Sequence, residues 1–113
     1  MRPADRPLSI NGERLMKRIM ALAEVGAIAG GGCNRLALTD ADRDGRDVVV
    51  AWMQDLGLDV VVDAVGNIIG TWAVGEGQAV MTGSHIDTVR TGGKYDGNYG
   101  VLAGLEVIET CQQ

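Results

Sequence analysis

The chain has 113 residues, of which 46% are hydrophobic and 22% are charged, and it contains no Phe. This length allows at most one domain, and the core must be aliphatic. Ten basic residues against fifteen acidic ones give a net charge of -5, which argues against nucleic-acid and anionic-membrane partners because both bind basic patches. No apolar stretch is long enough to span a membrane, and residues 1–10 lack the apolar centre of a secretory signal, so we expect a cytoplasmic protein.

The first half of the chain is predicted to hold two helices. After a polar tail at residues 1–9, apolar residues at helical spacing predict a helix over residues 11–24, with its first residue as the N-cap. Three consecutive glycines at 30–32 predict a loop, since glycine in regular structure costs conformational entropy. Thr39 is a suitable N-cap for a second helix over residues 39–57, whose first turn is acidic.

The second half is predicted to hold three strands and one more helix. β-Branched and apolar residues predict strands at 58–64, 67–73 and 79–84, and the third is apolar enough to be buried on both faces. A loop at 85–97 and a helix from Asn98 onward complete an α/β fold. The helical pattern continues to the last residue and the third strand has few neighbours, so we expect the chain to be part of a longer protein.

The loop after the third strand carries the residues with catalytic potential. His85 is the only histidine, and Asp87 lies on the same side of the chain if the strand continues. A metal-bound imidazole usually donates its other N–H to a carboxylate or a carbonyl, and Asp87 is placed for that role. Asp96 precedes the last helix, whose positive end favours the ionised carboxylate. The three residues therefore predict half of a metal site.

The reactive side chains of this sequence also allow other interpretations. A single histidine near a few acids is most often a surface or core residue, and a catalytic zinc site needs three protein ligands. The stretch TGGKY at 91–95 lacks the spacing and the Ser or Thr of a phosphate-binding loop. A strand would point Ser84 and His85 to opposite faces, which excludes a Ser-His-Asp triad. Cys33 and Cys111 are predicted to be free thiols rather than a disulfide or zinc ligands.

Four separated motifs give a more specific signal than spacing alone. They are INGERL (10–15), GGGCNRLALTDAD (30–42), VDAVGNIIG (62–70) and GSHIDT followed by GGKYDGNYGVLAGLEV (83–107). In this order they resemble the group of N-carbamoyl-L-amino-acid hydrolases, allantoate amidohydrolases and β-ureidopropionases in the M20 superfamily of dinuclear-metal enzymes. The resemblance implies that residues 10–113 are the N-terminal portion of an M20-type catalytic domain, an α/β fold with a mixed sheet flanked by helices, without the family's smaller dimerisation domain.

The same resemblance implies a role for each site residue. His85 would bind one metal of a pair, Asp96 would bridge both metals, and Asp87 would be the catalytic aspartate that orients the site. The two divalent ions would be Zn or Mn, with Co or Ni as alternatives, and would activate water to hydrolyse a C–N bond in a small amide or ureido substrate. The general base, the other ligands and the substrate-binding residues would lie outside this chain, so the 113-residue chain is predicted to be inactive and the intact protein to be a homodimer.

Two alternatives to this function stay open. M20 exopeptidases share the His-x-Asp motif, but they place a longer insert before the bridging aspartate and usually a second acid after it, whereas Gly97 follows Asp96 here. A non-catalytic truncated domain with at most weak metal affinity also fits the sequence.

The loop at 30–39 and the two tryptophans carry further candidate residues. Asn34, Arg35 and Thr39 are candidates for substrate contacts, but the simpler interpretation is a structural loop in which Thr39 caps a helix and Arg35 forms a surface ion pair. Trp52 and Trp72 are predicted to pack against the core rather than to bind a ligand.

Overall fold

The computed structural model describes residues 7–113, and these residues form three helices and one two-stranded sheet. The elements are α1 (Gly12–Ala23), α2 (Asp40–Asp55), β1 (Asp59–Val62), β2 (Ile68–Thr71) and α3 (Asn98–Gln112). Of the predicted polar tail, residues 1–6 lie outside the described part of the chain, and residues 7–9 are exposed and belong to no element. No helix within residues 7–113 is both long and apolar enough to cross a membrane.

Side-chain caps begin the first two helices, as predicted. The Asn11 side chain accepts a hydrogen bond from the Arg14 backbone N–H at 3.0 Å, and the Thr39 hydroxyl accepts one from the Asp42 backbone N–H at 3.3 Å. Each cap satisfies one of the N–H groups that a helix leaves without an internal partner. Local sequence signals therefore fix where α1 and α2 start.

The two strands form an antiparallel hairpin that is shorter than the predicted strands. Val62 pairs with Ile68 beside the turn. Within the turn, Asp63 accepts hydrogen bonds from the backbone N–H groups of Val65 at 3.0 Å and Asn67 at 2.9 Å. A hydrogen bond from the Asn67 side chain, together with these backbone bonds, holds the pKa of Asp63 below its ordinary value. The Asp63 side chain therefore provides a hydrogen-bond acceptor for the backbone N–H groups of Val65 and Asn67 in the turn.

The predicted third strand at 79–84 is wrong. These residues belong to no strand, and Val80 and Met81 are 100% and 83% exposed instead of buried. A strand takes its hydrogen bonds from a neighbouring strand, and the only sheet among residues 7–113 consists of β1 and β2. The segment lies along α3 instead: a Cβ at Gly104 would be 2.9 Å from the Thr82 methyl group.

The core joins the helices to the base of the hairpin. Its fully buried members are aliphatic, as the composition predicts: Leu15, Ile19, Leu22, Val49, Leu58, Leu102 and Leu105. Trp52 and Trp72 are half-buried and pack against this cluster. Their predicted packing role is therefore confirmed.

A buried carboxylate fastens α1 to α3. The side chain of Glu106 is only 1% exposed and accepts hydrogen bonds from Arg14 Nε at 2.7 Å, from the Asn11 backbone N–H at 2.8 Å and from the Thr110 hydroxyl at 3.0 Å. The bond from Arg14 is the largest of the influences that lower the pKa of Glu106 from 4.5 to about 2.

Candidate metal centre

The three predicted site residues line one shallow cleft. His85, Asp87 and Asp96 surround it together with Thr88 and Val89 from the same loop, and Leu36 and Ala37 close it from the loop before α2. The structure thus brings the predicted residues together on one side of the molecule. The expectation that a strand leads into His85 is wrong, because the preceding segment makes no ladder hydrogen bonds within the described residues.

Asp87 holds the His85 ring through one nitrogen only. The Nδ1 atom of His85 lies 3.0 Å from the Asp87 carbonyl oxygen and 3.3 Å from its carboxylate oxygen Oδ1. A carbonyl oxygen only accepts, so this contact is a hydrogen bond in the neutral Nδ1–H tautomer, in which Nε2 keeps its lone pair. This is the arrangement that a metal-binding imidazole adopts, with its second nitrogen held by a carbonyl or carboxylate. The geometry therefore fits His85 as a ligand through Nε2.

Gly97 allows the Asp96 loop to lie against His85. Its φ of 74° is unfavourable for residues with a side chain, and a Cβ there would lie 2.5 Å from both Nδ1 and the backbone oxygen of His85. The next residue, Asn98, is fully buried and donates a hydrogen bond to the Lys94 backbone oxygen at 3.2 Å. The backbone around Asp96 is thereby fixed on both sides.

The glycine-rich loop before α2 pairs with the loop that carries the candidate site. Cys33 and Gly92 exchange two backbone hydrogen bonds, each of 2.9 Å. A Cβ at Gly32 would lie 2.5 Å from the Gly92 backbone oxygen, so the loops meet where glycine is needed. Cys33 is buried and Cys111 is exposed, and both are free thiols, as predicted.

The structure corrects the interpretation of Arg35. This residue is fully buried and forms no surface ion pair; its guanidinium donates hydrogen bonds to the backbone oxygens of Leu22, Val25 and Ile86. Burial lowers the pKa of Arg35 from its ordinary value. Sequence reasoning missed this role, although Gly45 was a usable signal: an isolated glycine inside a helix indicates close packing, and the Arg35 side chain lies against it.

The other candidate residues of the loop at 30–39, Asn34 and Thr39, are not buried as Arg35 is. Thr39 is the N-cap of α2, as the structural interpretation predicts. Asn34 is exposed and does not line the cleft. Thr88, which sequence reasoning did not single out, is buried, and its hydroxyl accepts a hydrogen bond from the Arg35 backbone N–H at 2.7 Å.

The described residues do not form a complete metal site by themselves. Among residues 7–113, no group of three or more His, Cys, Asp or Glu side chains is arranged to hold a metal ion. His85 and Asp96 offer one nitrogen and one carboxylate to the same cleft. Their chemistry suits Zn²⁺ and similar borderline ions, which bind imidazole and carboxylate together.

The fold is similar to part of solved amidase structures. The structure matches a crystal structure of a hydantoinase/carbamoylase family amidase from Burkholderia ambifaria with a TM-score of 0.91 and 49% sequence identity, covering 95% of this chain and 27% of that one. The predicted α/β fold class is therefore confirmed.

Relatives in sequence point to the same group. The chain is 44% identical over 106 residues to an N-carbamoyl-L-amino acid amidohydrolase from Geobacillus stearothermophilus, covering 92% of this chain and 26% of the relative. It is 42% identical over 94 residues to an allantoate amidohydrolase from Bacillus subtilis, covering 81% of this chain and 23% of the relative. The chain thus spans about a quarter of the length of these relatives. No protein-family model matches it, but the resemblance to the carbamoylase and allantoate amidohydrolase group is confirmed.

Proposed function

We propose that these residues belong to a longer metal-dependent amidohydrolase of the M20 superfamily, which hydrolyses a C–N bond in small linear amides or ureido compounds. The observation that carries the proposal is the similarity to N-carbamoyl-L-amino acid and allantoate amidohydrolases over 92% and 81% of the chain. Both names describe amide or ureido C–N bonds in small polar molecules. N-carbamoyl amino acids, allantoate and ureidopropionate are therefore the substrates to test.

Three residues of this chain would bind the metal ions or orient a metal ligand. His85 would offer Nε2 to one of two divalent ions, Zn or Mn with Co or Ni as alternatives, while Asp87 holds Nδ1 through contacts of 3.0 and 3.3 Å. Asp96 would bridge the two ions. When bound, the ions supply Lewis acidity and lower the pKa of water. The contribution of Asp87 is to fix the tautomer and the direction of the imidazole.

The 113-residue chain alone is proposed to be inactive. A catalytic zinc site takes three protein ligands, whereas among residues 7–113 the cleft brings together two proposed ligands, His85 and Asp96. The general base and the other ligands would come from the remaining three quarters of a protein of the relatives' length. A cytoplasmic homodimer without nucleic-acid or membrane partners is the proposed state of that protein.

The proposal is tested with the full-length protein and the 113-residue chain side by side. We expect the full-length protein to release product from at least one of the three substrates, to lose activity after chelation and to regain it with Zn²⁺ or Mn²⁺. The 113-residue chain should show no turnover with any of them. A full-length protein that cleaves peptides but no ureido compound would support the exopeptidase alternative. Activity that persists in the metal-free protein would contradict the metal-dependent mechanism.

A further inference from the structure

The buried guanidinium of Arg35 links α1 to the loop that carries His85 and Asp87. Arg35 Nη1 donates to the backbone oxygens of Leu22, at 3.0 Å, and Val25, and Nε donates to that of Ile86 at 2.9 Å. The Leu22 oxygen lies in the last turn of α1, where the helix dipole favours a cation, and Val25 follows two residues after the helix ends. Three backbone carbonyl oxygens thus accept from Nε and Nη1 of the buried guanidinium, whereas Nη2 has no hydrogen-bond partner among residues 7–113.

The backbone of Arg35 also forms hydrogen bonds with the loop that carries His85 and Asp87. The Arg35 N–H donates to the Thr88 hydroxyl at 2.7 Å, and the Thr88 N–H donates to the Arg35 backbone oxygen at 2.8 Å. Ile86 and Thr88 are the two neighbours of Asp87, so Arg35 fixes the chain on both sides of it. Asp87 is the residue whose carbonyl and carboxylate oxygens contact Nδ1 of His85.

We propose that Arg35 is a positioning residue that holds the Asp87 backbone and so sets the tautomer and orientation of the His85 ring. The inference rests on the proposed function, because the orientation of His85 matters there for metal binding. Arg35 itself is fully buried and does not line the cleft. Its effect on the site passes through Ile86 and Thr88.

The first test reads the His85 tautomer in the metal-free 113-residue chain. His85 is its only histidine, so ¹⁵N-histidine labelling gives one imidazole to observe, at a pH high enough for the neutral ring. We expect the Nδ1–H tautomer in the wild type and a mixture of both tautomers in Arg35→Met. Arg35→Lys keeps the charge but cannot reach carbonyls in several directions, so we expect an intermediate result.

The matched control is Arg14→Met. Arg14 also binds through its guanidinium and joins α1 to α3 at Glu106, but it does not line the cleft. A purely structural role for Arg35 predicts that both Met variants lower the melting temperature and keep the wild-type tautomer. That result would overturn the proposal.

Two further variants decide the question if Arg35→Met does not fold. Gly45→Ala favours helix formation, but its Cβ would meet Arg35 Cδ at 2.8 Å and Nε at 3.2 Å. Thr88→Val removes the acceptor of the Arg35 backbone N–H. We expect a mixed tautomer in both, and a wild-type tautomer in both would contradict the positioning role.

Metal affinity in the full-length protein provides the second measurement. Loss of a group that orients a ligand typically weakens metal binding ~10–100-fold, and we expect Arg35→Met to fall in that range while Arg14→Met is unchanged. A wild-type protein that binds no metal would contradict the proposed function, whereas the tautomer experiment would still test the positioning role. Wild-type metal affinity in Arg35→Met would contradict the inference alone.

Discussion

Replacement of Glu106 by Gln tests how strongly the buried carboxylate fastens α1 to α3. The change keeps the size of the side chain but removes the charge that Arg14 contacts at 2.6 Å. A pKa lowered from 4.5 to about 2 corresponds to at most ~3.4 kcal/mol of stability at neutral pH. Because the Arg14 side chain is 21% exposed, solvent screens the pair, and we expect a loss of ~2 kcal/mol in the free energy of unfolding.

The stabilisation by Glu106 should depend on pH in a direction set by its lowered pKa. The pKa of Glu106 is lower in the folded state, so its stabilisation is complete above 4.5 and is lost as the pH falls through about 2. The difference between wild type and Glu106→Gln should therefore shrink by more than half between about pH 7 and about pH 3. Glu109→Gln is the control, since Glu109 contacts the same Arg14 but is 20% exposed, and we expect a loss below ~1 kcal/mol.

Urea unfolding of the 113-residue chain, followed by the fluorescence of the half-buried Trp52 and Trp72, measures these differences. The reasoning is refuted if Glu106→Gln loses the same stability at about pH 3 as at about pH 7. It is also refuted if Glu109→Gln is as damaging as Glu106→Gln at neutral pH. Either result would mean that packing, rather than charge pairing, accounts for the contribution of Glu106.

Three further predictions concern the site and its supports. In the full-length protein, Asp87→Ala should lower metal affinity or turnover ~10–100-fold. Asp96→Ala should be more damaging, because a bridging carboxylate offsets the repulsion of two cations. Equal losses of metal content and turnover in the two variants would argue against the bridging role of Asp96. Gly97→Ala should cost about 1–3 kcal/mol of backbone strain in urea unfolding and weaken metal binding, since its Cβ would overlap His85. Thr39→Ala should destabilise the chain by ~1 kcal/mol while leaving the metal affinity unchanged.

The sequence correctly predicts those parts of the fold that depend on contacts between residues close together in the chain. Asn11 and Thr39 cap helices because each side chain reaches a backbone N–H three residues later. The strand at 79–84 could not be judged in this way, because a strand depends on a partner that the local pattern does not reveal. Burial of Arg35 depends on oxygens 10, 13 and 51 residues away in the sequence, and spacing rules do not describe such contacts.

The candidate site was predictable to a similar extent. The motif around His85 identified the residues that the cleft brings together, and the alternation argument placed Asp87 on the side of the His85 ring. That argument assumed a strand, yet the contact forms without one. The reason is that the Asp87 carbonyl and carboxylate both approach Nδ1, a local geometry that a turn of the backbone allows as readily as a strand.

The cleft is held by loops that bind one another, and this decides which substitutions matter. Thr88 and Arg35 exchange hydrogen bonds of 2.7 and 2.8 Å, and Cys33 and Gly92 exchange bonds of 2.9 Å. These pairs join the loop before α2 to the loop that carries the site, at both ends of the segment between residues 88 and 92. Since rigid supports are what keep a metal ligand in its productive geometry, variants at these pairs should disturb His85 more than variants on the exposed hairpin.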